Sequence, residues 1–344
     1  MSAIDLRTDL DYLSEPFGSV FGTNMTVASF VDGAYSYGGK AVPLETFSIH
    51  PGAHVLHYSS SVFEGMKAHR QQDGSVAIFR LDDHVRRLQN STAQLCLPVP
   101  EFDVARQMII DAATANLDTV PDAPGSLYIR PVVFGTTADV GAAAATSSAG
   151  LFYVLTCPVG DYFTGGVRPL TVMVETKLPR TTPQFGMIKA GANYAMALKR
   201  TLDAKADQGA DQVLFAPHGQ ITETGASNFF LVDDDRLITP ALSGEFLHGV
   251  TRASLTVIAN DLGYEVQERA LTLSELLEWV VDGEVFLSGT AAVAAPVGTL
   301  VFEDQPLAVR DGQPGPNTLR LRQALVDMQI GETADTHNWR LKLG

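Results

Sequence analysis

The sequence predicts a mixed α/β protein built as two α/β domains, and three observations predict it. The chain has 344 residues and 45% hydrophobic content, which suffices for a large core divided over about two domains. Short β-branched and aromatic runs alternate with stretches whose apolar residues recur at helical spacing. At 158–169, P-V-G-D-Y-F-T-G-G-V-R-P, three glycines and two prolines interrupt both patterns and mark a connection. The expected layout is a smaller N-terminal domain over 1–158, an interdomain loop over 159–170 and a larger C-terminal domain over 171–344, with the ligand site in the cleft between them.

After a polar segment to about residue 20, the runs at 55–58, 63–69 and 75–79 read as strands, the last two joined by a hairpin turn at Q-Q-D-G, 71–74. A helix begins near 81–83 with acidic residues in its first turn. It carries Val85, Leu88, Ala93 and Leu95 and stops before Pro98. A second helix fits 102–117, where Val104, Met108, Ile109 and Ala112 recur at helical spacing. Strands at 127–134 and 151–156 flank an Ala-rich segment, 141–150, that reads as a mobile loop. Further on come strands at 171–175, 212–216 and 228–232, the run R-L-I-T-P after the Asp-Asp-Asp turn, a helix over 192–206, and a helix over 250–262 that ends at Gly263.

Composition narrows the function classes. The formal charge of −15 argues against nucleic acid as a partner, since phosphate binding needs clustered Lys and Arg. No run approaches the eighteen or so apolar residues of a membrane span, and the opening M-S-A-I-D-L-R-T-D-L lacks the pattern of a secretory signal. A cytoplasmic location is therefore expected. Cys96 and Cys157 are too few for a disulfide framework or a zinc site and read as buried free thiols, and no metal is expected.

The chemistry centres on K-A-G-A-N-Y, 189–194, a lysine among small residues where another group can approach its amine. Alone, Lys189 reads as a solvated lysine and Glu223 as a surface carboxylate. The helix start H-G-V-T-R, 248–252, and the turn S-G-T-A-A, 288–292, each offer amides to an anion. Alone, each is an ordinary helix start or strand exit. In combination, an amine for a carbonyl, a carboxylate for a ring nitrogen and amides for a phosphate are what pyridoxal 5'-phosphate requires.

Seven ordered blocks carry a more specific signal: H-Y-S-S-S-V-F-E-G-M-K-A (57–68), L-Y-I-R-P (127–131), C-P-V-G-D-Y-F (157–163), K-A-G-A-N-Y (189–194), E-T-G-A-S-N-F-F (223–230), L-H-G-V-T-R (247–252) and S-G-T-A-A-V-A-A-P-V (288–297). Over 55–296 the chain resembles the fold-type IV pyridoxal-phosphate enzymes, and among them the branched-chain amino acid aminotransferases. The resemblance implies Lys189 as Schiff-base lysine and general acid/base, Tyr194 on the cofactor's phenolic oxygen and Glu223 on its ring nitrogen. It implies Arg87, with Arg86 as the neighbouring alternative, together with Val250, Thr251 and Thr290 on the phosphate, and Leu247 against the ring face. For substrate it implies the amides of Thr290 and Ala291 with the Tyr128 hydroxyl as carboxylate receiver. Phe63, Tyr162 and Tyr58 would line the side-chain pocket, Tyr58 coming from its own or a partner subunit, and Arg130 would receive the distal carboxylate of glutamate. The implied reaction is reversible ping-pong transfer of the amino group of Leu, Ile or Val to 2-oxoglutarate, in a homodimer.

Some features depart from the family pattern. Ala292 and Ala295 stand where some relatives carry a Cys-x-x-Cys switch, and Ser227 and Phe229 replace a Met and an Ile common in branched-chain enzymes. The competing readings are a D-amino-acid or (R)-amine aminotransferase, an aminodeoxychorismate lyase, or a non-catalytic scaffold. The F-E-G-M-K, C-P-V-G-D-Y-F and G-T-A-A-V blocks favour the branched-chain branch.

Overall fold

The computed structural model describes residues 7, 8, 10–163 and 165–344; most of the opening segment read above for a targeting signal, residues 1–6 and 9, lies outside the described residues. Contacts divide the chain into two units. One takes the chain up to Tyr162 together with Ile188–Gly191 and Met328–Gly344, and the other takes Phe163–Met187 and Ala192–Asp327. The sequence reading ran the second domain unbroken over 171–344. The difference arises because the C-terminus returns to pair with a strand of the first sheet, a long-range pairing that no local pattern encodes.

The first unit is built on strands β1 (Asn24–Val31), β2 (Ala34–Tyr37), β3 (Val42–Pro43), β4 (Ser61–Phe63), β5 (Met66–Arg70), β6 (Val76–Phe79), β7 (Ser126–Gly135) and β8 (Gly150–Val159), with helices α1 (His54–Tyr58), α2 (Leu81–Gln94) and α3 (Phe102–Thr114). The second is built on β9 (Leu170–Glu175), β10 (Gln212–Phe215), β11 (Asn228–Val232), β12 (Arg236–Thr239), β13 (Glu265–Glu268), β14 (Glu284–Gly289), β15 (Val293–Phe302) and β16 (Gln305–Ala308), with α4 (Gly191–Gln208), α5 (Val250–Asp261), α6 (Leu273–Trp279) and α7 (Pro316–Ile330). The last strand, β17 (Arg340–Leu343), closes one edge of the first sheet. That nine-stranded sheet runs β17-β6-β5-β7-β8-β1-β2, with β3 on β1 and β4 on β7. The eight-stranded sheet of the second unit runs β10-β9-β15-β14-β11-β12-β13, with β16 on β15.

The predicted strand at 63–69 is present in two pieces. Phe63 lies opposite Val132 and Met66 opposite Ile129, so the register is unbroken between them. The ladder lapses because Pro131 has no N–H to give, although Glu64 N–H still donates to Pro131 O at 2.9 Å. The run 55–58 is a correction: it forms the short helix α1, capped where Ser59 turns left-handed and donates its N–H to Val55 O. One and a half turns are too few to display a helical period, so its Val, Leu and Tyr read as strand.

The 141–150 segment is a mostly exposed loop up to Gly150, where β8 begins. Ala142 and Ser147 are buried within it, and the Ser147 hydroxyl donates to Ala149 O at 2.7 Å. Cys157 is buried as read, and burial pushes its thiol up to about 12. Cys96, in a left-handed conformation just past the end of α2, is exposed, contrary to that reading.

Helical periodicity explains what faces inward. On α2, Leu81, Val85 and Leu88 are buried together with His84, Ser91 and Thr92, so one helix face carries both core and polar groups. The second core packs Val172, Leu214, Leu231, Ile238 and Leu300, and Phe230 stacks on Phe286 across β11 and β14 with ring centroids 4.7 Å apart. Among the described residues no helix is long and apolar enough to cross a membrane.

Candidate active site

In the first unit, Lys189 is held by its backbone at both ends. Its N–H donates to the Ser91 hydroxyl at 3.1 Å, and its carbonyl accepts from Phe63 N–H at 3.0 Å. The half-buried side chain lies over the Phe63 ring, with Nζ 5.0 Å from the centroid. Arg130 packs on the same ring at 4.5 Å and donates from Nη2 to the Tyr128 hydroxyl at 2.8 Å. A Cβ at Gly65 would sit 2.1 Å from that hydroxyl, so only glycine leaves room for Tyr128 at this point of the strand. Tyr162 joins through Phe17, whose ring lies edge-on to Tyr128 at 5.5 Å and to Tyr162 at 6.3 Å. Lys189, Phe63, Tyr128, Arg130 and Tyr162 therefore form one connected cluster. Tyr58 is on α1, its hydroxyl donating to Val140 O at 2.6 Å.

Helix α2 settles which arginine points inward. Arg86 is exposed and 3.7 Å from Asp83. Arg87 is one step further round and grips Glu64 with Nε at 2.6 Å and Nη2 at 2.8 Å. His84, one turn earlier, meets Glu64 Oε2 at 2.7 Å through Nδ1, and Gly65 N–H adds a bond at 3.2 Å. Glu64 is 0% exposed. Burial alone would raise its pKa, but the Arg87 charge and hydrogen bonds, helped by His84, hold the carboxyl well below the usual carboxylate range. An ionised Glu64 only accepts, so His84 carries its proton on Nδ1. Burial, opposed by Glu64 but reinforced by the charges of Arg87 and Lys189, keeps His84 below its ordinary pKa and hence neutral.

The second unit gathers the other predicted residues. Glu223 is 2% exposed and ion-paired with Arg180, Nη1 to Oε1 at 2.7 Å. Oε1 also accepts from Leu247 N–H at 3.0 Å, and Oε2 accepts from Asn228 Nδ2 at 3.2 Å. The Arg180 guanidinium lies 5.6 Å from the Tyr194 ring centroid, so a single cation joins Tyr194, Glu223 and, through Glu223, Leu247. Asn228 also donates to Leu247 O at 2.8 Å and fixes the start of α5, because a Cβ at Gly249 would fall 2.0 Å from Asn228 Oδ1. Gly249 is the N-cap of α5 and supplies no side-chain acceptor, so the helix start at Val250 and Thr251 keeps the amide-rich, positive end that suits an anion. Thr290 and Ala291 sit on the turn between β14 and β15, where Gly289 pairs with Val293 and Ser288 pairs with Asn228.

Sequence reasoning missed Glu64, His84, Arg180, Asn228, Phe17 and Lys67. Glu64 stands inside a quoted block, yet nothing in the block says that two α2 residues converge on it. Phe17 lies in a segment without periodicity. Lys67 is buried beside it, with Nζ 5.8 Å from its ring.

These donor sets fit pyridoxal phosphate. A half-buried primary amine can take up its aldehyde, a buried carboxylate paired with an arginine matches a pyridinium nitrogen, and the start of a twelve-residue helix with no side-chain cap, closed in by Gly249 and Asn228, matches a phosphate.

Comparison with known proteins gives the same direction. The family model for amino-transferase class IV matches residues 61–300. The chain is 37% identical to the branched-chain-amino-acid aminotransferase of Mycobacterium tuberculosis over 361 aligned residues, covering 100% of this chain and 97% of that one. The crystal structure of the branched-chain amino acid aminotransferase of Escherichia coli is similar with a TM-score of 0.75 at 28% identity, over 94% of this chain and 100% of that chain. That of the enzyme from Thermobaculum terrenum in its pyridoxal-phosphate form is similar with a TM-score of 0.75 at 25% identity, over 94% and 99%. The family match over residues 61–300 and the 37% identity over the full chain mean that the chain belongs to the amino-transferase class IV family and is a pyridoxal-phosphate-dependent transaminase similar throughout to branched-chain-amino-acid aminotransferases.

Proposed function

We propose that the chain transfers the amino group of L-leucine, L-isoleucine or L-valine to 2-oxoglutarate, reversibly, giving branched 2-oxo acids and L-glutamate. The observation that carries this reading is the cluster of Phe63, Tyr128, Tyr162 and Arg130 around Lys189. It combines an aromatic wall for a branched aliphatic side chain with a guanidinium for the distal carboxylate of glutamate. A carboxylate buried without such a partner would cost several kcal/mol, roughly the range for unpaired buried charge.

Pyridoxal phosphate, when bound, supplies the aldehyde that exchanges amino groups and the ring that takes up electrons from the substrate α-carbon. The chain's own residues do the rest. Lys189 Nζ removes the α-proton and holds it for return, as a general acid/base whose backbone is fixed at both ends. Glu223, ion-paired with Arg180, would accept from the ring N–H, and Tyr194 would hold the phenolic oxygen. Arg87, with Val250, Thr251 and Thr290, would bind the phosphate, and Leu247 would pack on the ring. The amides of Thr290 and Ala291, with the Tyr128 hydroxyl, receive the α-carboxylate, so that the α-hydrogen is oriented before it is removed.

The working form is a homodimer, supported by exposed Leu56 at 59% and Val140 at 67% beside Tyr58. It acts in the cytoplasm, where a free exposed thiol such as Cys96 persists. A spectrophotometric donor screen with 2-oxoglutarate tests the activity. Turnover of L-leucine, L-isoleucine and L-valine is expected, and a half-reaction with D-alanine but not L-leucine overturns the assignment. Light scattering on the purified protein checks the dimer.

A further inference from the structure

The turn expected to receive the substrate carboxylate is held in an unfavourable backbone conformation, and a buried arginine from another element grips it. Val293, the first residue after Thr290, Ala291 and Ala292, has φ +62°. A β-branched residue seldom adopts this left-handed region, because its Cβ substituents crowd the backbone. Such strain persists only where surrounding contacts impose it. Arg322 of α7 supplies those contacts. Its Nη1 donates to the carbonyl of Ala292 and lies 3.5 Å from that of Ala294, the residues on either side of Val293. Its guanidinium packs 5.6 Å from the Phe163 ring centroid, and the residue is only 9% exposed. A guanidinium cannot shed its proton, so its demand for acceptors is constant at any working pH. Burying it is costly unless those acceptors stay in place.

We propose that Arg322 is a positioning residue for the carboxylate-binding turn. By fixing the peptide groups around Val293 it fixes the directions in which the amides of Thr290 and Ala291 point. This rests on the role given to those amides above. Arg322 does not touch substrate, and it acts through the turn. A cation that merely docked α7 onto the sheet would bear on stability as a whole. One that sets the turn bears on carboxylate affinity and leaves cofactor binding to Lys189, Glu223 and the start of α5.

The test uses the full-length holoenzyme as wild type, Arg322→Ala, Arg322→Lys and the double variant Arg322→Ala with Val293→Gly. It measures kcat and KM for L-leucine, cofactor content by absorbance, thermal midpoint, and the dissociation constant of the unreactive acid 4-methylvalerate from its effect on the cofactor spectrum. In Arg322→Ala, KM and the 4-methylvalerate dissociation constant should rise about tenfold, the scale of losing hydrogen bonds to a charged group, while kcat changes by less than about threefold and cofactor content holds. Lysine, which cannot fork to two carbonyls, should fall between. Glycine at 293 takes the left-handed conformation without strain and should recover about half of the lost affinity.

Unchanged affinity in folded Arg322→Ala overturns the proposal. So does a parallel loss of cofactor, kcat and thermal midpoint that Val293→Gly does not reverse. Because 4-methylvalerate binding is read without turnover, a wild type inactive on branched-chain donors sinks the activity reading while that dissociation constant still decides the role of Arg322. A wild type that binds no carboxylate overturns both.

Discussion

Each unit buries one carboxylate against an arginine, and the two are used differently. Glu64 receives four donors: two from Arg87, one from His84 and one from Gly65 N–H. Its charge is spent inside the protein, holding Arg87 in a fixed pose. Glu223 meets the Arg180 guanidinium, a backbone amide and a carboxamide. Arg180 is its ion-pair partner, and the neutral donors fix its direction. A buried ion pair is weak evidence of net stability, so the pairs are better understood by what they orient. Glu64 orients a cation, whereas Glu223 is itself the oriented group. The same chemical pair thus fixes a cation in one unit and a carboxylate in the other.

Substitutions at these places test that contrast. The largest effect belongs to Lys189→Ala, which should lower transamination by at least about a thousandfold, the upper range for loss of a general acid/base that also bonds the cofactor. Single-turnover spectra check it, and retained turnover would remove the lysine from the chemistry. Glu223→Gln keeps the shape but not the charge, and kcat should fall roughly a hundredfold as the ring nitrogen loses its ionic partner. A variant with wild-type kcat would make the two carboxylates alike.

Glu64→Gln should act mainly on stability, because removing one partner of a buried pair leaves the other uncompensated at a cost of about 3–5 kcal/mol. Urea unfolding measures this, and a loss under about 1 kcal/mol would mean that Glu64 does not fix Arg87. Gly249→Ala forces a methyl group against Asn228 Oδ1, which overpacks the site by about 1–3 kcal/mol and should weaken cofactor retention more than unfolding stability.

Acid should find the first unit before the second. The buried histidines held below their ordinary pKa, His69 and His84, both lie in the first unit. Burial, reinforced by the charge of Lys67, pushes His69 down to about 3. A depressed folded pKa means that the stabilising contribution is complete above the unfolded value near 6.5 and is lost as pH falls towards the folded value, at about 1.4 kcal/mol per pH unit for each group. Glu64 adds its own loss below about pH 4.3, the unfolded value for glutamate. His69→Leu should therefore flatten the stability profile between pH 6 and roughly 4 by one such slope. An unaltered profile would show that His69 is not held neutral.

Much of this was legible in the sequence because it is local. The strands at 127–134, 151–156 and 228–232 and the helices beginning near 81 and 250 declare themselves through periodicity, an acidic first turn and a terminal glycine, and they form at nearly those places. The proposal for the lysine, the carboxylate and the helix start came from the sequence because they stand within blocks that resemble a family whose cofactor chemistry requires such groups. Failures occurred where distance along the chain decided the outcome. The strand at 340–343 pairs with residues 76–79, more than two hundred and fifty positions away, and helix α1 is too short to carry a period.

The residues by themselves determined an acidic α/β chain of two units, and the resemblance carried by its ordered blocks pointed to a transaminase and to the amine, carboxylate and helix-start amides proposed for its chemistry. Only the tertiary structure decided which groups hold those residues in place: Glu64 and His84 with Arg87, Arg180 with Glu223 and Tyr194, and Arg322 on the turn before Val293. The physical reason is that a buried charge must find its partner in space, and spatial neighbours brought together by sheet register and helix packing leave no mark on the local sequence.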